Sequence, residues 1–266
     1  MPMTGAVKDF VGHSVFASGL HSALLRNAAV VVVFHHIRDG AESDSLSIDV
    51  EMFERYCRFF RQHFRVVGLP ELALKLERRE RLHRELAITF DDGYLDNYEN
   101  AAPVLEKYQL PGTFFVVTEW MGSTVVPWWD RDRGETPKWM TWDHVRALHR
   151  RGFDIGGHTQ THADLGTVSG DIALREILGA RAELASRLGS SVPSFAYPYG
   201  GRHNVTEANR MLVRDAGFRC CCSGFGGRNV PTTSPFHINR VAISSWYASP
   251  HQFGFEIAMR MSQLSA

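Results

Sequence analysis

Apolar residues along this chain alternate between two spacings, and the alternation predicts its elements. Continuous β-prone runs at 28–34, 86–90, 113–117, 153–157, 193–197 and 218–222 read as buried strands. Between them the apolar residues recur at every third or fourth position. Phe53, Tyr56, Cys57, Phe60 and Phe64 mark a helix over 52–64, followed by a short strand at 65–67. Pro70 opens a charged helix over 71–82, and further helices are expected at 97–108, 142–151, 171–188 and 206–216. Gly152, Gly189 and Gly217 close the last three. The acidic, Ser-rich segment 39–49 reads as a loop, 236–243 as the last strand, and the remaining tail as a closing helix. The first helix is placed at 10–25. No internal repeat is present.

Strands alternating with helices over the whole length imply a parallel sheet, and about seven or eight units suggest a closed or nearly closed barrel. One barrel over 28–266 is expected, preceded by a helical segment at 1–27. In such barrels chemistry gathers where strands end. His35-His36 follow the first long run, Asp91-Asp92-Gly93 the second, and His158 with His162 the run at 153–157. Tyr199 follows the run at 193–197 within Pro198-Tyr199-Gly200-Gly201. The alternation is interrupted once, at 119–142, which carries Trp120, Trp128, Trp129, Trp139 and Trp142, five of the six tryptophans. Such residues suit either the apolar faces of sugar rings or the anchoring of a long loop.

Composition narrows the partners. The 266 residues are 44% hydrophobic and 22% charged, with 29 basic and 29 acidic residues, so no global field favours nucleic acid or an anionic surface. Cys57 and the contiguous Cys220, Cys221 and Cys222 lack the spacing of a disulfide framework or a zinc ribbon and read as reduced core residues. No export signal is recognisable, and no apolar stretch approaches the roughly twenty residues of a spanning helix, so the cytoplasm is the expected compartment. The helix at 10–25 is amphipathic, suited either to packing on the barrel or to lying in a membrane interface.

Adjacent carboxylates at a strand end point to opposite sides of an extended backbone, so that one can bind a metal and the other face a substrate. Asp-Gly is also a common turn pair. Two imidazoles four apart can converge on one ion, and Asp92, His158 and His162 together form a facial set for a divalent metal. Zinc is the first expectation from ligand type; cobalt, nickel and iron accept the same ligands. With water activated there, Asp91 can take a proton. A backbone N–H in the Pro198-Tyr199-Gly200 turn and a protonated His35 are candidates to stabilise an oxyanion and protonate a leaving group.

Three segments in order, Thr89-Phe90-Asp91-Asp92-Gly93-Tyr94, His158-Thr159-x-x-His162 and Phe195-Ala196-Tyr197-Pro198-Tyr199-Gly200, resemble the NodB-homology polysaccharide deacetylases, carbohydrate esterase family four. The resemblance spans about residues 30–243. It implies a distorted (β/α) barrel of about seven strands, a metal held by Asp92, His158 and His162, and Asp91 as general base. The reaction implied is hydrolysis of an N-acetyl group on a hexosamine to amine and acetate. Two departures bear on the site. The family's Arg two residues before the Pro is replaced here by Ala196, and Arg240 is the candidate to orient Asp91 instead. The late Leu-x-His motif that supplies the family's acid has no C-terminal match, whereas Val33-Phe34-His35 is similar to it at the opposite end, as in the circularly permuted branch that includes poly-N-acetylglucosamine deacetylases. His35 is therefore assigned the acid role, with His36 and His237 as alternatives. Pro198 and Tyr199 are expected at the substrate. The expected function is de-N-acetylation of a polysaccharide, oligosaccharide or glycolipid precursor of surface-polysaccharide synthesis. An O-acetyl esterase, another amidohydrolase or a non-catalytic carbohydrate-binding protein are the alternatives.

Overall fold

A computed structural model describes residues 3–39 and 45–260. Seven strands follow one another in a curled parallel sheet: β1 (Ala29–Phe34), β2 (Glu85–Phe90), β3 (Thr113–Val116), β4 (Asp154–Gly157), β5 (Ser194–Ala196), β6 (Cys220–Cys222) and β7 (Val241–Ala242). They lie in the order β7-β1-β2-β3-β4-β5-β6, and the short strand Arg65–Val66 pairs with the amino end of β2. The edges of this path meet through one segment. Ile238 bridges Cys222 of β6, while Val241 and Ala242 pair with Val32 and Val33 of β1. The result is a distorted barrel of seven strands, nearly closed as the pattern suggests and distorted as the resemblance implies.

Side chains alternate along each strand and fill two layers. Val30, Val32, Phe34, Leu86, Ile88 and Phe90 pack with the surrounding helices, including Phe53, Tyr56 and Phe60 of Val50–His63. The other face carries smaller residues, Ala29, Ala87, Ala196, Cys220 and Cys222, with Val31 and Phe115. These share a cluster with Leu69, Leu72 and Leu76 of the helix Leu69–Glu77, which closes the amino end of the barrel. The cysteines are buried, and burial pushes the thiols of Cys220 and Cys221 up to about 11 and about 12.

Four predicted elements differ, the first being the loop expected at 39–49, in which Ser47–Ile48 forms a short strand paired with His36–Ile37. The helix expected at 71–82 ends at Glu77, and the chain then turns with Arg79 at φ 53°. The helix expected at 10–25 is split into Gly5–Ala17 and His21–Leu24 by a turn with Gly19 at φ 77°. The last strand, expected over 236–243, keeps only Val241–Ala242 in the ladder, because the segment changes pairing partner from β6 to β1 and begins as a 3-10 turn at Pro235–His237. Part of the loop expected at 39–49 and the end of the expected closing helix, residues 40–44 and 261–266, lie outside the described residues.

Candidate active site

The carboxyl ends of the strands open into a cleft of about 760 Å³ lined by His35, Asp91, Asp92, His158, His162, Tyr199 and Arg240. Each follows from a local feature of its strand end. β2 stops at Phe90, and the Gly93 amide donates to the Asp91 carbonyl at 2.9 Å, closing a γ-turn around Asp92 at φ 73°. The two carboxylates are therefore separated by a tight turn and not by the alternation of an extended strand, a correction to the geometry expected from sequence. A second γ-turn closes where the Gly200 amide donates to the Pro198 carbonyl at 2.7 Å, with Tyr199 at φ 63°. Strained backbone of this kind persists only where its surroundings fix it. Pro198 does not itself line the cleft; it supplies the carbonyl that closes the turn. Among the described residues the Tyr199 amide donates to nothing.

Asp91 is gripped at both oxygens by Arg240, whose Nη1 and Nη2 each lie 2.7 Å away. Arg240 is 2% exposed, and its Nε donates to the Ser223 carbonyl at 3.0 Å. Burial pushes the Asp91 carboxyl up, but the Arg240 guanidinium and the nearby His158 more than reverse this, leaving it below its ordinary value. Ala196, in the place of the family's arginine, belongs to the small-residue face of the barrel, so the guanidinium arrives from the segment that closes the sheet.

His158 donates from Nδ1 to the Ala196 carbonyl at 2.8 Å, which leaves the Nε2 lone pair facing Asp92. His158 Nε2 and His162 Nε2 stand 3.4 and 3.3 Å from Asp92 Oδ1, a buried oxygen with no hydrogen-bond partner. Burial raises the Asp92 carboxyl, yet the two imidazoles hold it well below the usual carboxylate range. Two imidazole nitrogens and an orphaned carboxylate oxygen converging in a buried space is the donor set of a divalent cation, and these residues fit one. A second group, His36, Asp130 and Glu135, fits less well, because Arg133 already holds Asp130 at 2.6 Å and Arg38 holds Glu135 at 2.8 and 3.0 Å.

Of the three candidate acids, His35 alone lines the cleft. Its carbonyl accepts from Asn97 Nδ2 at 2.6 Å. Burial lowers its pKa, an effect that Asp92 and Asp91 oppose. His36 turns away and pairs through Nδ1 with Asp96 at 2.6 Å, and His237 sits against Arg210 at 2.7 Å in a separate surface pocket.

The tryptophan insertion divides its work. Trp120 and Trp139 are buried anchors, whereas Trp128 and Trp129 line the cleft. The His162 ring is boxed by Trp120, Trp129 and Tyr199, with centroids 5.1, 4.9 and 4.8 Å away. Sequence reasoning missed Trp246, which is 62% exposed and lines the cleft beyond β7; applying the strand-end rule to the last strand would have found it. It also missed Glu176. From the helix Gly170–Leu188 its carboxylate accepts from the Gln160 and Thr161 amides, each at 2.9 Å, and from the Thr161 hydroxyl at 2.8 Å. It thereby clamps the loop between the two histidines.

Comparison with known proteins identifies the family and the fold. The sequence profile of the polysaccharide deacetylase family matches residues 78–221, more than half of the chain. Over 239 residues the chain is 22% identical to the poly-β-1,6-N-acetyl-D-glucosamine N-deacetylase of Staphylococcus aureus, covering 82% of this chain and 79% of that protein. IcaB from Ammonifex degensii superposes with a TM-score of 0.72 at 24% identity, over 86% of this chain and 96% of that one. Streptococcus pyogenes deacetylase PplD, solved in complex with acetate, gives a TM-score of 0.71 at 18% identity, over 86% and 97%. The chain belongs to the polysaccharide deacetylase family, with the NodB-homology fold. It is a deacetylase whose relatives include poly-N-acetylglucosamine deacetylases.

Proposed function

We propose that the protein removes N-acetyl groups from an N-acetylhexosamine-containing polysaccharide, oligosaccharide or glycolipid precursor, releasing acetate, and that Asp92, His158 and His162 hold the divalent metal it requires. One observation carries this reading: a buried set of three metal-type donors adjoins a carboxylate fixed at both oxygens by an arginine. The relative named for poly-β-1,6-N-acetyl-D-glucosamine supports the substrate class.

Asp92, His158 and His162 would hold the divalent ion, zinc by ligand type, which when bound would supply Lewis acidity to the scissile carbonyl and to a water. Asp91 takes the proton of the attacking water at a carboxylate oxygen, and Arg240 keeps that carboxylate ionised and aimed. The unpaired Tyr199 amide donates to the oxyanion that develops on the carbonyl oxygen. His35 gives a proton from its ring to the leaving amine. Trp128, Trp129, Tyr199 and Trp246 line the walls, where their rings cover sugar faces and exclude water.

The test is acetate release from N-acetylated oligosaccharides, β-1,6-linked N-acetylglucosamine oligomers among them, by metal-stripped protein before and after zinc or cobalt is restored. O-acetylated glycans are run in parallel. Release of amide-bound acetate only with metal, abolished in Asp92→Ala, supports the proposal. Release from the O-acetylated glycans alone replaces it with an esterase. Binding of glycan without release of either, with metal shown to be bound, replaces it with a carbohydrate-binding protein.

A further inference from the structure

The two histidines of the donor set are aimed by different means. His158 donates from Nδ1 to the Ala196 carbonyl at 2.8 Å, the usual way in which a ligating imidazole is turned toward its ion. His162 has no such bond: its Nδ1 is buried, and none of the described residues offers that nitrogen a hydrogen-bond partner. His162 also sits outside regular structure at φ 64°, a backbone that persists only where its surroundings fix it. Those surroundings are the rings of Trp120, Trp129 and Tyr199, so packing takes the place of the hydrogen bond.

One wall of that box is itself held by a chain of buried hydrogen bonds. Trp129 Nε1 donates to the Tyr94 hydroxyl at 3.0 Å, and the hydroxyl donates in turn to Asp130 Oδ2 at 3.2 Å. Tyr94 and Asp130 are fully buried, and Arg133 Nη2 fixes the other oxygen of Asp130 at 2.6 Å. A phenolic hydroxyl has one proton to give and lone pairs to accept with, and Tyr94 uses both capacities. Its ring lies between those of His36 and Trp139, with centroids 3.6 and 4.6 Å away, so the hydroxyl stands at a fixed point. The backbone ties the same parts together. Tyr94 is two residues beyond Asp92, the Gly93 carbonyl accepts from the Met140 amide at 2.9 Å, and the Leu95 amide donates to the Lys138 carbonyl at 2.7 Å. The turn that carries Asp92 is thus bonded directly to the insertion that carries Trp129.

We propose that Tyr94 and Asp130 are positioning residues for the metal centre: they hold Trp129 by its indole N–H, and Trp129 holds the His162 ring at the angle that brings Nε2 to Asp92. Neither Tyr94 nor Asp130 lines the cleft, so neither touches substrate, and both act through the tryptophan. The inference rests on the reading of Asp92, His158 and His162 as metal ligands, and it does not depend on which acetylated glycan is the substrate. It also gives the buried carboxylate of Asp130 a task. Without an acceptor at that point the Tyr94 hydroxyl is free to rotate and to offer its proton elsewhere, and the indole N–H loses a fixed lone pair.

The test is zinc affinity by chelator competition in the full chain. Tyr94→Phe keeps the ring between His36 and Trp139 and removes only the hydroxyl, and it is expected to weaken zinc binding by about tenfold. Asp130→Ala acts in the same direction, and Asp130→Asn, which keeps an oxygen for the hydroxyl to donate to, recovers most of the loss. In Trp129→Phe, which has no N–H to hold, adding Tyr94→Phe causes no further loss. That non-additivity is the mark of positioning through Trp129, since a general weakening of the fold would act equally in both backgrounds. A Tyr94→Phe variant that binds zinc as tightly as wild type overturns the proposal, as does a loss of the same size in the Trp129→Phe background. Wild type that binds no zinc overturns the metal reading and this inference with it, an outcome distinct from the other two.

Discussion

Strand β2 carries a buried acid–base pair at each end, and the two pairs do different work. At its amino end Glu85 is fully buried, accepts from Lys75 Nζ at 2.9 Å at one oxygen and from the His83 amide at the other, and is closed over by the helix Leu69–Glu77. At its carboxyl end Asp91 is gripped by Arg240, but Asp92 next to it keeps an oxygen with no partner and faces an open cleft. Burial raises both Glu85 and Asp91, and the cationic partner brings each below its ordinary value. A perturbed carboxylate therefore does not distinguish a structural end from a chemical one. An unsatisfied donor set beside a cavity does.

The sharpest way to break this contrast is to remove charge at the carboxyl end. Asp91→Asn should keep metal and fold while kcat/KM for acetate release falls by about 10²–10⁴; a variant that turns over normally would deny the base role. At the amino end, Lys75→Met leaves Glu85 buried without its partner and should cost about 3 kcal/mol in urea unfolding, with turnover of the folded fraction unchanged. Restored stability in Lys75→Met/Glu85→Leu would locate the cost in the stranded charge, whereas lost turnover at unchanged stability would erase the difference between the ends.

Smaller effects sharpen the contrast. Glu176→Ala frees the loop between His158 and His162 and should weaken metal binding by about 10–100-fold in chelator competition, with kcat recovering at saturating metal. Asp154, at the amino end of β4, is pushed by burial from 3.8 to about 6. Its protonated form is the one the fold favours, so stability is lost as pH rises from about 4 to about 6. Asp154→Asn should therefore be more stable than wild type at alkaline pH, by about 1 kcal/mol after allowance for its partial exposure, with the gain fading in acid. A gain that persists unchanged below pH 4 would place its origin outside this titration.

Strand ends were the legible part of the sequence. Val30 to Phe34 and Leu86 to Phe90 form apolar runs that only a buried strand accommodates, and the residues just beyond them are held in place by the barrel rule. Arg240 was reachable only through the family resemblance, which expects an arginine to orient Asp91 where this chain has Ala196. What escaped depends on contacts between distant segments. Glu176 reaches its loop from the face of a long helix, where an acidic residue reads as solvated surface. The γ-turns at Asp92 and Tyr199 are conformations that no local preference for these residue types announces. The end of the last strand was overread because its β-prone residues serve two neighbours in succession.

That change of neighbours bears on how the molecule comes into being. Asp91 and the guanidinium that holds it are 149 residues apart, and the cation rides on the segment that joins the last strand to the first. During synthesis the acid emerges early and waits for almost the whole remaining chain, so its burial coincides with closure of the sheet. A chain halted before residue 240 has strands but no finished centre. Assembly of the Asp91–Arg240 pair and completion of the fold are one event.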